Sequence, residues 1–340
     1  MSTVKKIASI AGIFLLGLAR PAGAQIFEAN VNADANSIGA YDFNGATANE
    51  SLITGLSQPM GLALSGDELF VLNAGNGTQS IGAYTTGGDE VNSSIVSGLH
   101  GAQYLAVSGN LLFVTNLEAG SIGEYTASGE TVNTSLVTGL NAHSSFATGI
   151  AATGNLLLVL NNGNPDVAGS GWVSAYHLGA AAGTIDLPSL TVASGLTNPT
   201  GIAVSGDDFF VLQGDGTIGE YTLSGQTVDA ALVTGLKDPS ALAISGNDLF
   251  IASRNLGTIS EYTTSGEMVD PALVTGLTQG LSGLAVAPML NPPLLSGIAA
   301  SSFAVPEPNG WVLVSIGVGA LAGAGRSLRP RTFAPTSSRR

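Results

Sequence analysis

The amino-acid sequence predicts an all-β fold made of repeated four-stranded units. A strand that begins Ile-Gly-x-Tyr, or a close variant, recurs at intervals of 41 to 51 residues, at Ile38, Ile81, Ile122, Val173, Ile218 and Ile259. Each copy is followed by a polar hairpin and an outer strand that ends in Gly-Leu, and then by two further apolar strands. Four short strands in a repeat of this length are typical of the blade of a β-propeller.

One repeat, from Gly195 to Thr222, shows the pattern in detail. Two apolar runs, Gly201 to Val204 and Phe209 to Leu212, precede a third strand from Ile218, and Gly/Asp turns separate them. Short apolar runs with such punctuation predict strands and hairpins. The runs are continuous rather than alternating, which predicts strands buried on both faces between neighbouring sheets. A β-solenoid is the alternative, but its repeats would be shorter.

The repeats predict six blades and a ring closed by the two ends of the chain. We name the strands a to d from the axis outward, and five blades are complete between Pro59 and Leu277. The sixth has only strand a, Leu281 to Ala287, while Gln25 to Asn30 matches strand-b runs such as Leu69 to Asn73. We therefore predict a six-bladed propeller over residues 25–288, in which the N-terminal strand pairs with the last blade. A closed ring leaves no exposed sheet edge.

The inner strands carry a family resemblance. The pattern Pro-x-Gly-[IL]-Ala-Val, with close variants at Pro59 to Leu64 and Pro199 to Val204, resembles the NHL and YVTN-type propellers. The resemblance covers Gln25 to Ala287 and implies the fold. Proteins with many different functions share these motifs, so the resemblance implies no activity.

Composition excludes several classes of function. The 340 residues include no Cys, which excludes thiol catalysis and Cys-ligated metals. All 24 acidic residues lie between Glu28 and Glu307, where Lys237 and Arg254 are the only basic residues, so this interval has a formal charge of −22. Such a body repels phosphate backbones, and we expect no nucleic-acid partner.

The N-terminal segment predicts export. Lys5 and Lys6 precede an apolar run from Ile7 to Leu18, and Ala22-Gly23-Ala24 follows it. A basic start, a short apolar core and small residues at a cleavage site indicate a secretory signal peptide over residues 1–24. About a dozen apolar residues are too few to span a bilayer.

The C-terminal segment predicts sorting to the cell surface. Residues 289–304 form a Pro/Ser/Ala-rich linker, and Val305-Pro306-Glu307-Pro308, an apolar stretch over residues 310–325 and a basic cluster that starts at Arg326 follow in that order. Arginines hold their end of a span on the cytoplasmic side.

Together these parts, over residues 305–331, resemble the PEP-CTERM sorting signal of Gram-negative bacteria, with a basic tail over residues 332–340 beyond it. The resemblance implies an exosortase-type processing enzyme as a partner. It also implies a transmembrane helix at residues 310–325 that anchors the protein transiently in the inner membrane, before it reaches the cell surface or extracellular matrix.

The residues at the start of the inner strands indicate whether the axial channel could hold a catalytic metal. Propellers of the lactonase and gluconolactonase type hold a divalent metal in the axial channel, with carboxylate and amide oxygens as ligands. The corresponding residues here include no acid and no histidine: Met60, Gln103, Thr148, Thr200, Ser240 and Ser282. We therefore predict no metal, no cofactor and no catalytic residue, and a protein that is not an enzyme. The alternative is a propeller hydrolase or lyase, lactonase-like or acting on polysaccharide.

Two further patterns in the sequence do not by themselves indicate a functional site. His100, His143 and His177 share no metal-ligand spacing. The glycosylation pattern Asn-x-Ser/Thr occurs at Asn49, Asn76, Asn92 and Asn133. In a chain this rich in Asn, Ser and Thr, chance also produces such matches.

The loops predict a ligand face. In a propeller the d–a and b–c loops lie on the same face, and binding residues concentrate on loops held by a rigid scaffold. Five candidates fall on these loops: His143, Asp166, Trp172, Lys237 and Arg254. We expect Trp172 to act as a stacking platform and the two cations to contact anions, in a surface or matrix module that binds extracellular polysaccharide or surface proteins. The competing reading is that loop insertions accumulate without a function.

Overall fold

The computed structural model describes residues 25–31, 36–75, 79–140, 146–164, 166–186, 189–277 and 281–287. These residues form 24 strands in six four-stranded antiparallel sheets. The predicted all-β, six-bladed propeller is thus confirmed. In this part of the chain, no helix has the length and hydropathy needed to cross a membrane. The predicted signal peptide, linker, sorting signal with its transmembrane helix at residues 310–325, and basic tail lie outside the described residues.

The strands are numbered in chain order, and blades 1 to 3 run from the axis to the rim. Blade 1 contains β4 (Pro59–Ser65), β5 (Glu68–Asn73), β6 (Gln79–Thr85) and β7 (Glu90–Leu99). Blade 2 contains β8 (Ala102–Ser108), β9 (Leu111–Asn116), β10 (Ser121–Thr126) and β11 (Thr131–Thr138). Blade 3 contains β12 (Ala147–Thr153), β13 (Leu156–Asn161), β14 (Gly171–His177) and β15 (Leu190–Leu196).

Blades 4 and 5 follow the same order, and blade 6 combines the two ends of the described chain. Blade 4 contains β16 (Pro199–Ser205), β17 (Asp208–Gln213), β18 (Ile218–Thr222) and β19 (Thr227–Val233). Blade 5 contains β20 (Pro239–Ser245), β21 (Asp248–Ser253), β22 (Thr258–Thr263) and β23 (Met268–Val274). Blade 6 contains, from the axis outward, β24 (Leu281–Val286), β1 (Gln25–Val31), β2 (Asn36–Asp42) and β3 (Thr47–Ile53).

The N-terminal strand closes the ring, as predicted. β1 pairs antiparallel with β24, from Ile26 opposite Val286 to Asn30 opposite Leu281, and it pairs with β2 on its other edge. Ile26 and Phe27 are fully buried in this sheet. The closing strand therefore has both edges paired and both faces covered.

The continuous apolar runs of strand b result from burial on both faces. Phe70 and Leu72 pack in the cluster between blades 1 and 2, whereas Leu69 and Val71 pack in the cluster between blades 1 and 6. Successive side chains of a strand point to opposite faces. Because each face meets a neighbouring blade, both sets of positions are apolar.

The Ile-Gly-x-Tyr motif is a packing unit. The Tyr ring folds back over the Gly two residues earlier, on the same face of strand c. A Cβ added at Gly39 would lie 2.9 Å from the Tyr41 hydroxyl oxygen, and one added at Gly82 would lie 2.7 Å from the Tyr84 ring. Glycine is therefore favoured at these two positions, because the backbone and the ring are in close contact.

The predicted glycosylation pattern coincides with a turn in strand d. The side chains of Asn49, Asn92 and Asn133 each accept a hydrogen bond from the backbone N–H two residues later, at 2.9 to 3.0 Å. Asp229 and Asp270 stand at the same register in blades 4 and 5 and accept the same bond at 2.9 Å. At these three positions, the hydrogen bond of the repeated turn explains why the residue is Asn or Asp. Asn76 lies outside the described residues.

Glu28 occupies an apolar position of the repeat. By its pairing with strands a and c, it matches one aliphatic residue in each other blade: Val71, Val114, Val159, Val211 and Ile251. Glu28 lies on the same face as Ile26, which packs against blade 5, and it is 1% exposed. Its Oε1 atom has no hydrogen-bond partner among the described residues. Burial raises the pKa of Glu28 to about 8, so the side chain is mainly protonated at neutral pH.

We predict that Glu28 makes the fold less stable as the pH rises. The unfolded chain releases this proton near its ordinary pKa of 4.5, whereas the folded chain holds it up to about 8. The free energy of unfolding should therefore fall between these two values, by up to about 5 kcal/mol, and level off above them. Urea unfolding from pH 5 to pH 9 measures this slope.

The Glu28→Gln variant keeps the shape of the side chain and removes the titration, so its slope over this range should be much flatter. Glu130→Gln, at an exposed turn, removes one carboxylate without touching a blade interface and serves as the control. A Glu28→Gln variant with the slope of the unmodified protein would contradict the assignment.

Candidate functional site

The d–a and b–c loops lie together on one face of the ring, which we call the loop face. In each of four blades, a backbone N–H of the b–c loop donates to a carbonyl of the preceding d–a loop: Ala74 to Gln58, Leu117 to Gly101, Gly214 to Asn198 and Arg254 to Asp238, at 2.8 to 3.1 Å. The four d–a residues have φ between 45° and 68°, a left-handed conformation in which Gly, Asn and Asp are favoured. The shared face predicted from the sequence is thus present.

The inner strands of all six blades surround an axial cavity of about 130 Å³. Five of the six residues predicted to open these strands line it: Met60, Thr148, Thr200, Ser240 and Ser282. In blade 2 the lining residue is Tyr104 and not Gln103. β8 has an irregular register between Ala102 and Leu105, and the Tyr104 N–H donates to the Thr115 side chain at 2.9 Å instead of to a strand carbonyl.

Tyr104 breaks the symmetry of the axis. The equivalent residue in the other five blades is small: Gly61, Gly149, Gly201, Ala241 and Gly283. Burial raises the pKa of Tyr104, and the positive charge of Arg254 partly offsets this effect. Blades 2 and 5 are opposite in the ring, so Tyr104 and Arg254 come from opposite sides of the axis and line two adjoining cavities. The Tyr104 hydroxyl stays protonated at neutral pH and can donate a hydrogen bond.

A second cavity of about 300 Å³ adjoins the first on the loop face. It shares Thr200 and Ser240 with the axial cavity and is completed by Gly214, Asp238, Pro239, Arg254 and Asn255. We call the two cavities together the axial mouth. Arg254 is exposed, and no carboxylate of the described residues lies within ion-pair distance of it. A guanidinium without a carboxylate partner is available to a ligand anion.

One hydroxyl of the axial mouth lacks a partner. The side chains of Thr148 and Ser282 donate to the Pro199 and Pro59 carbonyls of the next blade, each at 2.8 Å. The Oγ1 atom of Thr200 is buried and has no partner among the described residues. A buried hydroxyl without a partner costs free energy that a ligand can recover.

The donor set of the axial mouth does not fit a divalent metal. Its described lining residues include one carboxylate, Asp238, and no histidine. The described residues also contain no cluster of three His, Asp or Glu side chains that could hold a metal ion. Calcium and magnesium sites need several oxygen ligands, usually with more than one carboxylate.

Four of the five residues of the predicted ligand face are described, and they do not line one cavity. Arg254 lines the axial mouth, but Trp172 belongs to strand β14 and lines a separate cavity between blades 2 and 3. Lys237 is exposed and is not among the residues that line the mouth, and Asp166 is exposed on the b–c loop of blade 3. His143 lies outside the described residues.

No protein-family model and no curated protein matches the chain. Its fold is similar to solved structures at low sequence identity. One, described as a nidogen/laminin complex, has a TM-score of 0.62 and 15% identity, covering 78% of this chain and 98% of that chain. A putative 6-phosphogluconolactonase from Bacteroides uniformis has a TM-score of 0.56 and 12% identity, covering 78% and 99%. A gluconolactonase from Xanthomonas campestris has a TM-score of 0.50 and 15% identity, covering 78% and 91%.

The prediction that the chain is not an enzyme is wrong. It rested on an axis without acidic residues, but proteins described as lactonases share this fold. It also assigned the axis of blade 2 to Gln103 and overlooked Tyr104 at the axis and Arg254 in the adjoining cavity. A signal was present in the sequence, because Tyr104-Leu105-Ala106 aligns with Gly61-Leu62-Ala63 and places a large residue where the other blades have Gly or Ala.

Proposed function

We propose that the protein is a lactonase-type propeller that takes a small, hydroxyl-rich lactone into the axial mouth and releases the sugar acid. The observation that carries this proposal is that Arg254 and Tyr104, from opposite blades, line two adjoining cavities that share Thr200 and Ser240. The likeness of the fold to proteins described as lactonases supports the choice of reaction class.

The residues of the mouth supply three roles in this reaction. Arg254 stabilises the negative charge that develops on the carbonyl oxygen and then binds the product carboxylate. Asp238 accepts a proton from the attacking water, and Tyr104 donates a hydrogen bond to the ring oxygen as it leaves. Water adds to the carbonyl carbon, the ring C–O bond breaks, the leaving alkoxide takes up the proton that Asp238 accepted from the water, and a hydroxy acid is formed. The acidic body repels this anionic product and favours its release.

We predict that the purified protein accelerates the opening of at least one aldonolactone in a pH-stat assay with γ- and δ-lactones of hexonic and pentonic acids. Arg254→Met should lower kcat/KM by about 10²-fold or more, because it removes the oxyanion partner. Tyr104→Phe should lower it by about tenfold, because it removes one hydrogen-bond donor.

Two control variants distinguish a specific role of the axial mouth in catalysis from a general effect of losing a hydroxyl or a charge. Tyr262→Phe removes a hydroxyl from a buried strand-c tyrosine away from the mouth, and Lys237→Met removes the other cation of the loop face. Both should keep most of the activity. An equal loss in Lys237→Met would indicate an effect of overall charge, and no acceleration of any lactone over buffer would rule out the proposed activity.

We also propose that the protein is exported and sorted by a PEP-CTERM signal. The support is in the sequence alone: Lys5-Lys6 with the following apolar run, then Val305-Pro306-Glu307-Pro308, the apolar stretch over residues 310–325 and Arg326. An exosortase-type enzyme then acts as a transient partner at the inner membrane.

We predict a mature protein that begins at Gln25 and ends near Pro308. Mass spectrometry of the protein recovered from separate cell fractions measures both ends, and this form should be found in the surface fraction. Recovery of the chain with an intact C-terminal tail in the inner membrane would contradict the sorting proposal.

A further inference from the structure

Blade 3 departs from the repeat at three adjacent places. Trp172 takes a position that is Ser or Thr in the other five blades: Ser37, Ser80, Ser121, Thr217 and Thr258. Ser174 takes the place of the glycine beneath the strand-c tyrosine, which is Gly in four of the other blades. The b–c connection spans residues 162–170, compared with residues 214–217 in blade 4. All three changes meet at one cavity of about 370 Å³ between blades 2 and 3, which we call the blade 2–3 cleft.

The wall of the cleft is held by a hydrogen-bond network around Ser174. The Trp172 indole N–H donates to Ser174 Oγ at 3.0 Å, and the Asn161 amide N–H donates to the same oxygen at 3.5 Å. Burial raises the pKa of Tyr176, and the side chains of Ser189 and Ser174 partly offset this effect. Asn161 and Ser174 are 2% and 7% exposed. The hydrogen bonds to Ser174 fix the Trp172 ring before any ligand arrives, which lowers the entropy cost of binding.

The chemistry of the cleft is neutral and amphipathic. Its described lining residues include no Asp, Glu, Lys, Arg or His: Thr138, Gly139, Leu140, Asn161, Gly163, Asn164, Ser170, Trp172, Ser174, Tyr176, Ser189 and Thr191. Half-buried Trp172 offers an apolar ring, and the amides and hydroxyls offer donors and acceptors. A ligand that matches both has an apolar face and hydroxyls at its edge, as a pyranose ring does.

Charge narrows the ligand class further. The acidic body repels anionic polymers, and the described part of the cleft has no cation to attract them. We therefore propose that the blade 2–3 cleft binds a glycosyl unit of a neutral polysaccharide. The cleft shares no described lining residue with the axial mouth, so this site is independent of the lactonase proposal.

Tryptophan fluorescence of the full chain tests binding directly. The chain has two tryptophans, so Trp311→Phe leaves Trp172 as the only one. We expect cellohexaose, laminarihexaose or mannohexaose to give a saturable change in Trp172 emission, and hexagalacturonate to give none at the same concentrations. Saturating gluconate, a ligand for the axial mouth, should not displace the neutral hexaose.

Isothermal titration calorimetry of variants tests whether Trp172 and Ser174 contribute to binding. Trp172→Ala should weaken binding of the neutral hexaose by about tenfold or more. Ser174→Gly installs the residue of four other blades, so it should fold normally and still weaken binding. Val167→Ala, at an exposed side chain of the same b–c loop that does not line the cleft, should bind as the unmodified protein does.

Four results would overturn the proposal. The first is the absence of binding by all three neutral hexaoses, and the second is binding of hexagalacturonate as tight as that of a neutral hexaose. The third is unchanged affinity in both Trp172→Ala and Ser174→Gly, with a melting temperature that shows both variants to be folded. Displacement of the hexaose by gluconate would assign the sugar to the axial mouth and would also overturn it.

Discussion

The pairing of β1 with β24 is the contact on which the rest of the ring depends. A blade buries its apolar faces only against two neighbours, so an open ring would expose one face of blade 6 and one sheet edge. The same pairing completes the axis. Ser282 of β24 lines the axial cavity and donates its hydroxyl to the Pro59 carbonyl of blade 1 at 2.8 Å. Closure by the N-terminal strand thus fixes the blade–blade contacts and the geometry of the axial mouth together.

The closing strand also contains a feature of the core that opposes folding at neutral pH. Glu28 lies on the face of β1 that packs against blade 5. The polarity of its carboxyl group stays uncompensated there, because its Oε1 atom has no partner among the described residues.

The sequence was sufficient to predict the architecture because every blade repeats the same packing constraints. Strand b is mainly apolar on both faces, and strand c has a glycine under its tyrosine in four of the six blades. The site was harder to predict. A local irregularity between Ala102 and Leu105 placed Tyr104 and not Gln103 at the axis, and Arg254 lines the adjoining cavity from the opposite blade. Trp172 was expected in a loop, but it pairs with Ser194 inside the sheet. Strand periodicity contains no information on such contacts between distant repeats.

Both candidate sites arise where a blade departs from the repeat. Repeated positions are constrained by their neighbours: a side chain at Gly82 would collide with Tyr84, and a polar group at Val71 would be buried without a partner. A residue that breaks the repeat at such a place must find a cavity or a polar partner. Tyr104 projects into the axis, and Ser174 bonds to Trp172 and Asn161. The ring consists of equivalent blades. Positions where one blade differs from the others, and where the new side chain finds a cavity or a polar partner, are therefore where a binding site can arise without loss of the fold.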